Sequence, residues 1–138
     1  MFKIINIRTI TADNLGALSF IESDIDVPFD IKRVYYIHHA EQYTQRGGHA
    51  HKTLEQFLFC PFGSIEIKLI GRDMTEKSVV LSDPNKGLYI TGGVWRNMLW
   101  LQKDSVLCVA ASQYYNANDY IREFVVFERM VSSRYWTN

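Results

Sequence analysis

Apolar and polar residues alternate in short runs along most of the chain, the period-two signature of strands that bury one face. In SIEIKLI, Ile65, Ile67 and Leu69 fall on one face while Glu66 and Lys68 fall on the other. The same alternation, or a β-branched run closed by turn residues, predicts strands over Phe2–Ile7, Ala17–Glu22, Ile31–Ile37, Gln56–Cys60, Ser64–Ile70, Lys77–Leu81, Leu88–Ile90, Asn97–Leu101 and Val106–Ala111. PFGS, GRDMTE and SDPNKG read as turns between antiparallel neighbours. Only DYIREFVVFERMV carries a helical stripe, with Phe124, Phe127 and Val131 three and four apart. With no linker, repeat or low-complexity tract, residues 1–138 form a single domain. The pattern predicts an all-β fold, a jelly-roll β-barrel with a short C-terminal helix.

Composition narrows the function classes. With 47% apolar residues the chain can bury a core without staples. Its 15 basic and 15 acidic residues cancel, which argues against a nucleic-acid or anionic-membrane partner and leaves anion binding to locally placed cations. Cys60 and Cys108 lie in apolar stretches and form no C-x-x-C pair, as expected of reduced core thiols. The N-terminus lacks the apolar core of a signal peptide, and Val106–Ala111 is far too short to cross a bilayer. These features predict a soluble, cytoplasmic protein.

Candidate chemistry concentrates in RGGHAHKTLEQ, residues 46–56. If residues 49–51 are extended, His49 and His51 share a face and Ala50 takes the other. Histidine is the side chain most easily poised to exchange protons near neutral pH. H-x-H followed four residues later by Glu55 is also a metal half-site, resembling the first metal motif of the cupin superfamily, whose fold is the jelly roll. The second cupin motif corresponds to GLYITGGVWRNM, where Arg96 occupies the expected histidine position. An arginine has no lone pair to donate and repels a divalent ion, so a metal-free imidazole pair is the preferred reading and no metal or cofactor is expected.

IKRVYYI, RGGHAHKTLEQ, GLYITGGVW and YYNANDYIR together resemble the sugar-nucleotide 3,4-ketoisomerases, and the similarity spans nearly the whole chain. The resemblance implies a metal-free, cupin-fold isomerase acting on dTDP-4-keto-6-deoxyglucose. It also implies a homodimer with exchanged N-terminal strands. His49 and His51 would carry the proton transfers, and Arg46 would help hold the nucleotide. A pyridoxal-phosphate aminotransferase would use the product to make 3-amino-3,6-dideoxyhexoses for O-antigen and lipopolysaccharide. The related 3,5-epimerases carry glutamine where this chain has His51, which argues against epimerisation. Leu15 and Arg96 would lie near the sugar.

For that reaction the expected base at carbon 3 is His51, with His49 shuttling the proton toward carbon 4. Tyr35, Arg96 or the second imidazole would serve the developing oxyanion. Arg33 and Arg46 are the diphosphate candidates, because arginine binds phosphate oxygens bidentately. Tyr114, Tyr115 and Trp95 are candidates for stacking on the base, although an aromatic in a barrel is more often core. Glu55 is expected to orient a histidine or pair with an arginine, and Asp119 with Arg122 to form an ion pair before the helix or to contact the ligand. Two other functions stay open: a metal-dependent cupin enzyme using His49, His51 and Glu55, and a non-catalytic sugar-nucleotide-binding module.

Overall fold

The structure, a computed structural model, describes residues 1–137. The chain runs through β1 (Phe2–Asn6), β2 (Arg8–Ala12), β3 (Gly16–Phe20), β4 (Arg33–Ile37), β5 (Gln45–His51), β6 (Gln56–Phe62), β7 (Ile65–Ile70), β8 (Glu76–Leu81), β9 (Lys86–Ile90), β10 (Trp95–Trp100), β11 (Val106–Ala111) and β12 (Tyr120–Ile121), then α1 (Phe124–Ser132). Two five-stranded sheets, ordered β1-β9-β6-β11-β4 and β12-β5-β10-β7-β8, face one another, while β2 and β3 form a separate hairpin. Every strand pairing in these sheets is antiparallel. This is the jelly roll expected from the alternation.

The core lies between the sheets. Ile65, Ile67 and Leu69 of β7 are fully buried there, with Leu88, Ile90 and Trp100 from β9 and β10. Each such side chain contributes roughly 1.5–3 kcal/mol by leaving water. A second cluster joins the outer face of the first sheet, through Phe57, Tyr89 and Ala110, to Ile7, Val27 and Phe29. Cys60 is buried and Cys108 partly buried, both as free thiols, and burial pushes the Cys60 thiol up to about 11.

Three elements differ from expectation. The expected helix shortens to Phe124–Ser132 because residues 117–119 form a 3₁₀ turn capped by the Asn116 side chain, after which Tyr120 and Ile121 pair with His51 and Ala50. Strand β2, whose residues are mostly exposed, carries too weak a pattern to read. Strand β5 holds two glycines with positive φ, Gly47 and Gly48, and its alternation is broken there. Among the described residues no helix is long and apolar enough to cross a membrane.

Candidate active site

Strand β5 carries the imidazoles, and its irregularity positions them. Against β10, Met98 pairs with Arg46, Asn97 with Gly47, and Arg96 with His49, so Gly48 is the extra residue of a β-bulge. A bulge resets the alternation. Arg46 and His49, three apart, therefore face the same side, and Ala50 turns outward onto the helix cluster. Glycine is required at position 47 twice over: its φ is +93°, and a Cβ there would lie 2.9 Å from the Arg96 carbonyl oxygen.

A cavity of about 460 Å³ opens on this face, lined by Arg33, Tyr35 and Ile37 from β4, Arg46, Gly47 and His49 from β5, and Met98, Tyr120 and Arg122. Alternation along β4 puts its three residues on one side, with Val34 and Tyr36 exposed on the other. Three arginines and no carboxylate line the cavity, a local field suited to a polyanion on a chain of zero net charge.

Beneath the cavity lies a buried polar layer. Arg96 is 1% exposed; its Nη1 donates to Gln56 Oε1 at 3.2 Å, while Nε and Nη2 have no protein partner. Burial lowers its pKa to about 10, so it stays charged at neutral pH. Gln56 Nε2 donates to the Tyr35 hydroxyl oxygen at 3.1 Å, which leaves the phenolic proton free to be given elsewhere. Burial raises the Tyr35 pKa and keeps it a neutral phenol.

The two imidazoles meet edge to face at 5.0 Å between ring centres, but they are not equivalent. His49 lines the cavity. His51 is fully buried behind it, with the Tyr120 ring 4.3 Å away and Asp119 Oδ2 3.3 Å from its Nδ1. Burial, then the Arg96 charge, lowers the pKa of His49 to about 4 and of His51 to about 2, so both are neutral at pH 7.

Several expected roles are corrected. Trp95 does not reach the cavity: it neighbours Arg96 on β10, faces the opposite way, and packs against Phe124 and Phe127 of α1. Glu55 neither orients a histidine nor meets an arginine; it accepts a hydrogen bond from the Tyr89 hydroxyl. Asp119 and Arg122 do not pair. The Asp119 carboxylate takes hydrogen bonds from Thr53 N, Thr53 Oγ1 and Leu54 N, and the Arg122 guanidinium sits 4.2 Å over the Tyr120 ring. Leu15 is no such correction: it is 85% exposed at the tip of the β2–β3 hairpin and does not line its own chain's cavity, as an exchanged N-terminal strand would have it. Among the described residues no three histidine, cysteine or carboxylate side chains gather as a metal site. Sequence reasoning missed Gln56 and Tyr120 as site residues and left Arg122 between an ion pair and a ligand contact. Gln56 closes the histidine stretch RGGHAHKTLEQ, and Tyr120 and Arg122 lie in the segment that reads as the start of the helix.

Comparison with known proteins agrees with this geometry. The family described as FdtA: WxcM-like, C-terminal, matches residues 1–132. A TDP-4-oxo-6-deoxy-alpha-D-glucose-3,4-oxoisomerase of Aneurinibacillus thermoaerophilus is 40% identical over 130 residues, 94% of this chain and 92% of that one. The structure of QdtA, a sugar 3,4-ketoisomerase from Thermoanaerobacterium thermosaccharolyticum in complex with TDP, superposes with a TM-score of 0.91 at 43% identity, covering 96% of each chain. A mutant of that enzyme is known in complex with TDP-4-keto-6-deoxyglucose. The WlaRB TDP-quinovose 3,4-ketoisomerase from Campylobacter jejuni gives a TM-score of 0.87 at 41% identity, covering 93% of this chain and 97% of that one.

Proposed function

Because the chain belongs to the FdtA, WxcM-like, C-terminal family, we propose that it is a metal-free isomerase that moves the ketone of dTDP-4-keto-6-deoxyglucose from carbon 4 to carbon 3. The observation that carries this reading is the neutral imidazole of His49 on the wall of an arginine-lined cavity, beside a buried guanidinium with unpartnered donors. Arg33, Arg46 and Arg122 suit the diphosphate.

The carbon-3 proton is acidified by the adjacent carbonyl. A base removes it, an enediolate forms, the proton on oxygen 3 is lost as oxygen 4 gains one, and carbon 4 is protonated. Burial favours an order of histidines opposite to the expected one. His49, at the cavity, takes the carbon-3 proton, and His51 behind it is the second station of the proton path. Arg96 and the Tyr35 hydroxyl are the donors for the developing oxyanion, held in place before substrate arrives. With arginine at position 96 in place of a third ligand, no step calls for a metal.

The assembly is a homodimer in the cytoplasm. Exposed Ile10 and Leu18 on the hairpin and Val34 and Tyr36 on β4 support such an interface, and exchange of N-terminal strands would bring Leu15 toward the partner's sugar site. The 3-keto product suits an aminotransferase that installs nitrogen at carbon 3 for O-antigen and lipopolysaccharide sugars. Proton NMR of dTDP-4-keto-6-deoxyglucose with the protein tests the reading: growth of 3-keto signals supports it, and an unchanged substrate spectrum refutes it.

A further inference from the structure

We propose that Asp119 is a positioning residue of the proton path: it holds His51 as the tautomer with its proton on Nδ1, leaving Nε2 as the proton-accepting nitrogen. The kinetic part of this inference rests on the ketoisomerase reading; the tautomer itself does not.

Asp119 is 7% exposed, and its carboxylate is pinned from three directions: Thr53 N at 3.0 Å and Thr53 Oγ1 at 2.8 Å on Oδ1, and Leu54 N at 3.1 Å on Oδ2. Its own backbone is tied down as well, since the carbonyl accepts from Lys52 N and the amide donates to Asn116 O. A carboxylate so held cannot turn away from the ring it faces. His51 Nδ1 lies 3.3 Å from Oδ2, a contact off the direction of a good hydrogen bond. On the ring side, the fully buried imidazole has the Tyr120 ring at 4.3 Å and the His49 ring at 5.0 Å, which leaves it little room to flip.

A neutral imidazole has one proton for two nitrogens. Placed on Nε2, it would leave the Nδ1 lone pair facing a carboxylate at 3.3 Å, an electrostatic clash inside the protein. Placed on Nδ1, it faces a negative acceptor, and Nε2 presents a buried lone pair with no protein partner. The other charged or titratable groups acting on His51 are Arg96, His49, Arg33 and Arg122, none of them an acid. Among the described residues Asp119 is thus the one anion placed to stabilise the imidazolium formed when Nε2 accepts a proton.

The test reads the tautomer directly. Long-range 1H–15N correlation spectra of the substrate-free, 15N-histidine-labelled enzyme distinguish the two forms, with His51 signals assigned by their loss in His51→Asn. The wild type is expected to show the Nδ1–H form, and Asp119→Asn, whose amide can donate toward Nδ1, the Nε2–H form. That variant should lose roughly 100-fold or more in kcat, with KM changed less than about threefold, because only the proton path is damaged. Asp119→Glu, which restores the charge, should keep the wild-type tautomer and recover part of kcat. A wild-type His51 protonated on Nε2 overturns the proposal, even if Asp119→Asn fails to fold. So does an Asp119→Asn enzyme with the Nδ1–H form retained, whatever its kcat, since the loss would then be structural. If the wild type turns over no keto sugar, the ketoisomerase reading fails and the tautomer result stands apart from it.

Discussion

Arg46 and His49 face one cavity although residues three apart on an unbroken strand point to opposite sides. The bulge at Gly47–Gly48 makes the difference, so the two glycines are part of the site's geometry. Gly47→Ala puts a methyl group 2.9 Å from the Arg96 carbonyl at a φ of +93°, whereas Gly48→Ala meets nothing nearer than Asn97 Oδ1 at 3.6 Å. Gly47→Ala should destabilise by more than about 1 kcal/mol and cut turnover, with Gly48→Ala milder on both counts. Thermal melts and steady-state kinetics of the two variants check this. Equal effects would mean the bulge is not the constraint.

Arg46→Ala should raise KM for the dTDP-sugar far more than it lowers kcat, because the diphosphate is bound alike in ground and transition states. Loss of one charge-assisted contact costs roughly 1.5–3 kcal/mol, or about 10- to 150-fold in KM. An unchanged KM with a collapsed kcat would move Arg46 into the chemical step.

The burial difference between the histidines predicts separable defects. In D2O, His49→Asn should abolish both product formation and exchange of the carbon-3 proton. His51→Asn should slow product formation and leave measurable exchange, because the cavity-facing base is intact. Proton NMR follows both signals. Exchange surviving only in His49→Asn would restore His51 as the base.

With His49 near 4 and His51 near 2, both imidazoles are deprotonated throughout the neutral range. The acid limb of kcat/KM, which reports the free enzyme's base, should fall close to pH 4 and not near 6.5. Stability shares the cause. Between the unfolded value near 6.5 and the folded values, the unfolded chain binds more protons, so stability is fully present above 6.5 and declines as pH falls toward 4. Melting temperature should drop over that interval, and less steeply in His49→Asn. A flat profile would remove the burial of the imidazoles as its source.

Much of this was legible in the sequence wherever a strand sees one environment on each face. Ile65, Ile67 and Leu69 announce β7, and Arg33 with Tyr35 announces the cavity face of β4. Legibility fails where function enters. Strand β5 turns arginine and histidine inward and breaks its period with a bulge, so neither hydrophobicity nor spacing marks it. Trp95 shows an avoidable error: as the neighbour of Arg96 on one strand it cannot face the same side, and aromatic character alone suggested otherwise. Tyr120 reaches the cavity from a two-residue strand, too short to leave a pattern, and Arg122 from the residue just after it.

Arg96 carries a further consequence, concerning durability. A guanidinium enclosed in a barrel with two of its nitrogens unpartnered weakens the empty protein, since a buried charge is stabilising only when its donors are met. Exchanging it for an apolar chain of similar length should therefore leave the melting temperature equal or higher while turnover disappears, and calorimetry beside a rate assay would show the two moving apart. The resting enzyme is less robust than its sequence could make it, and a bound oxyanion would supply the missing partner.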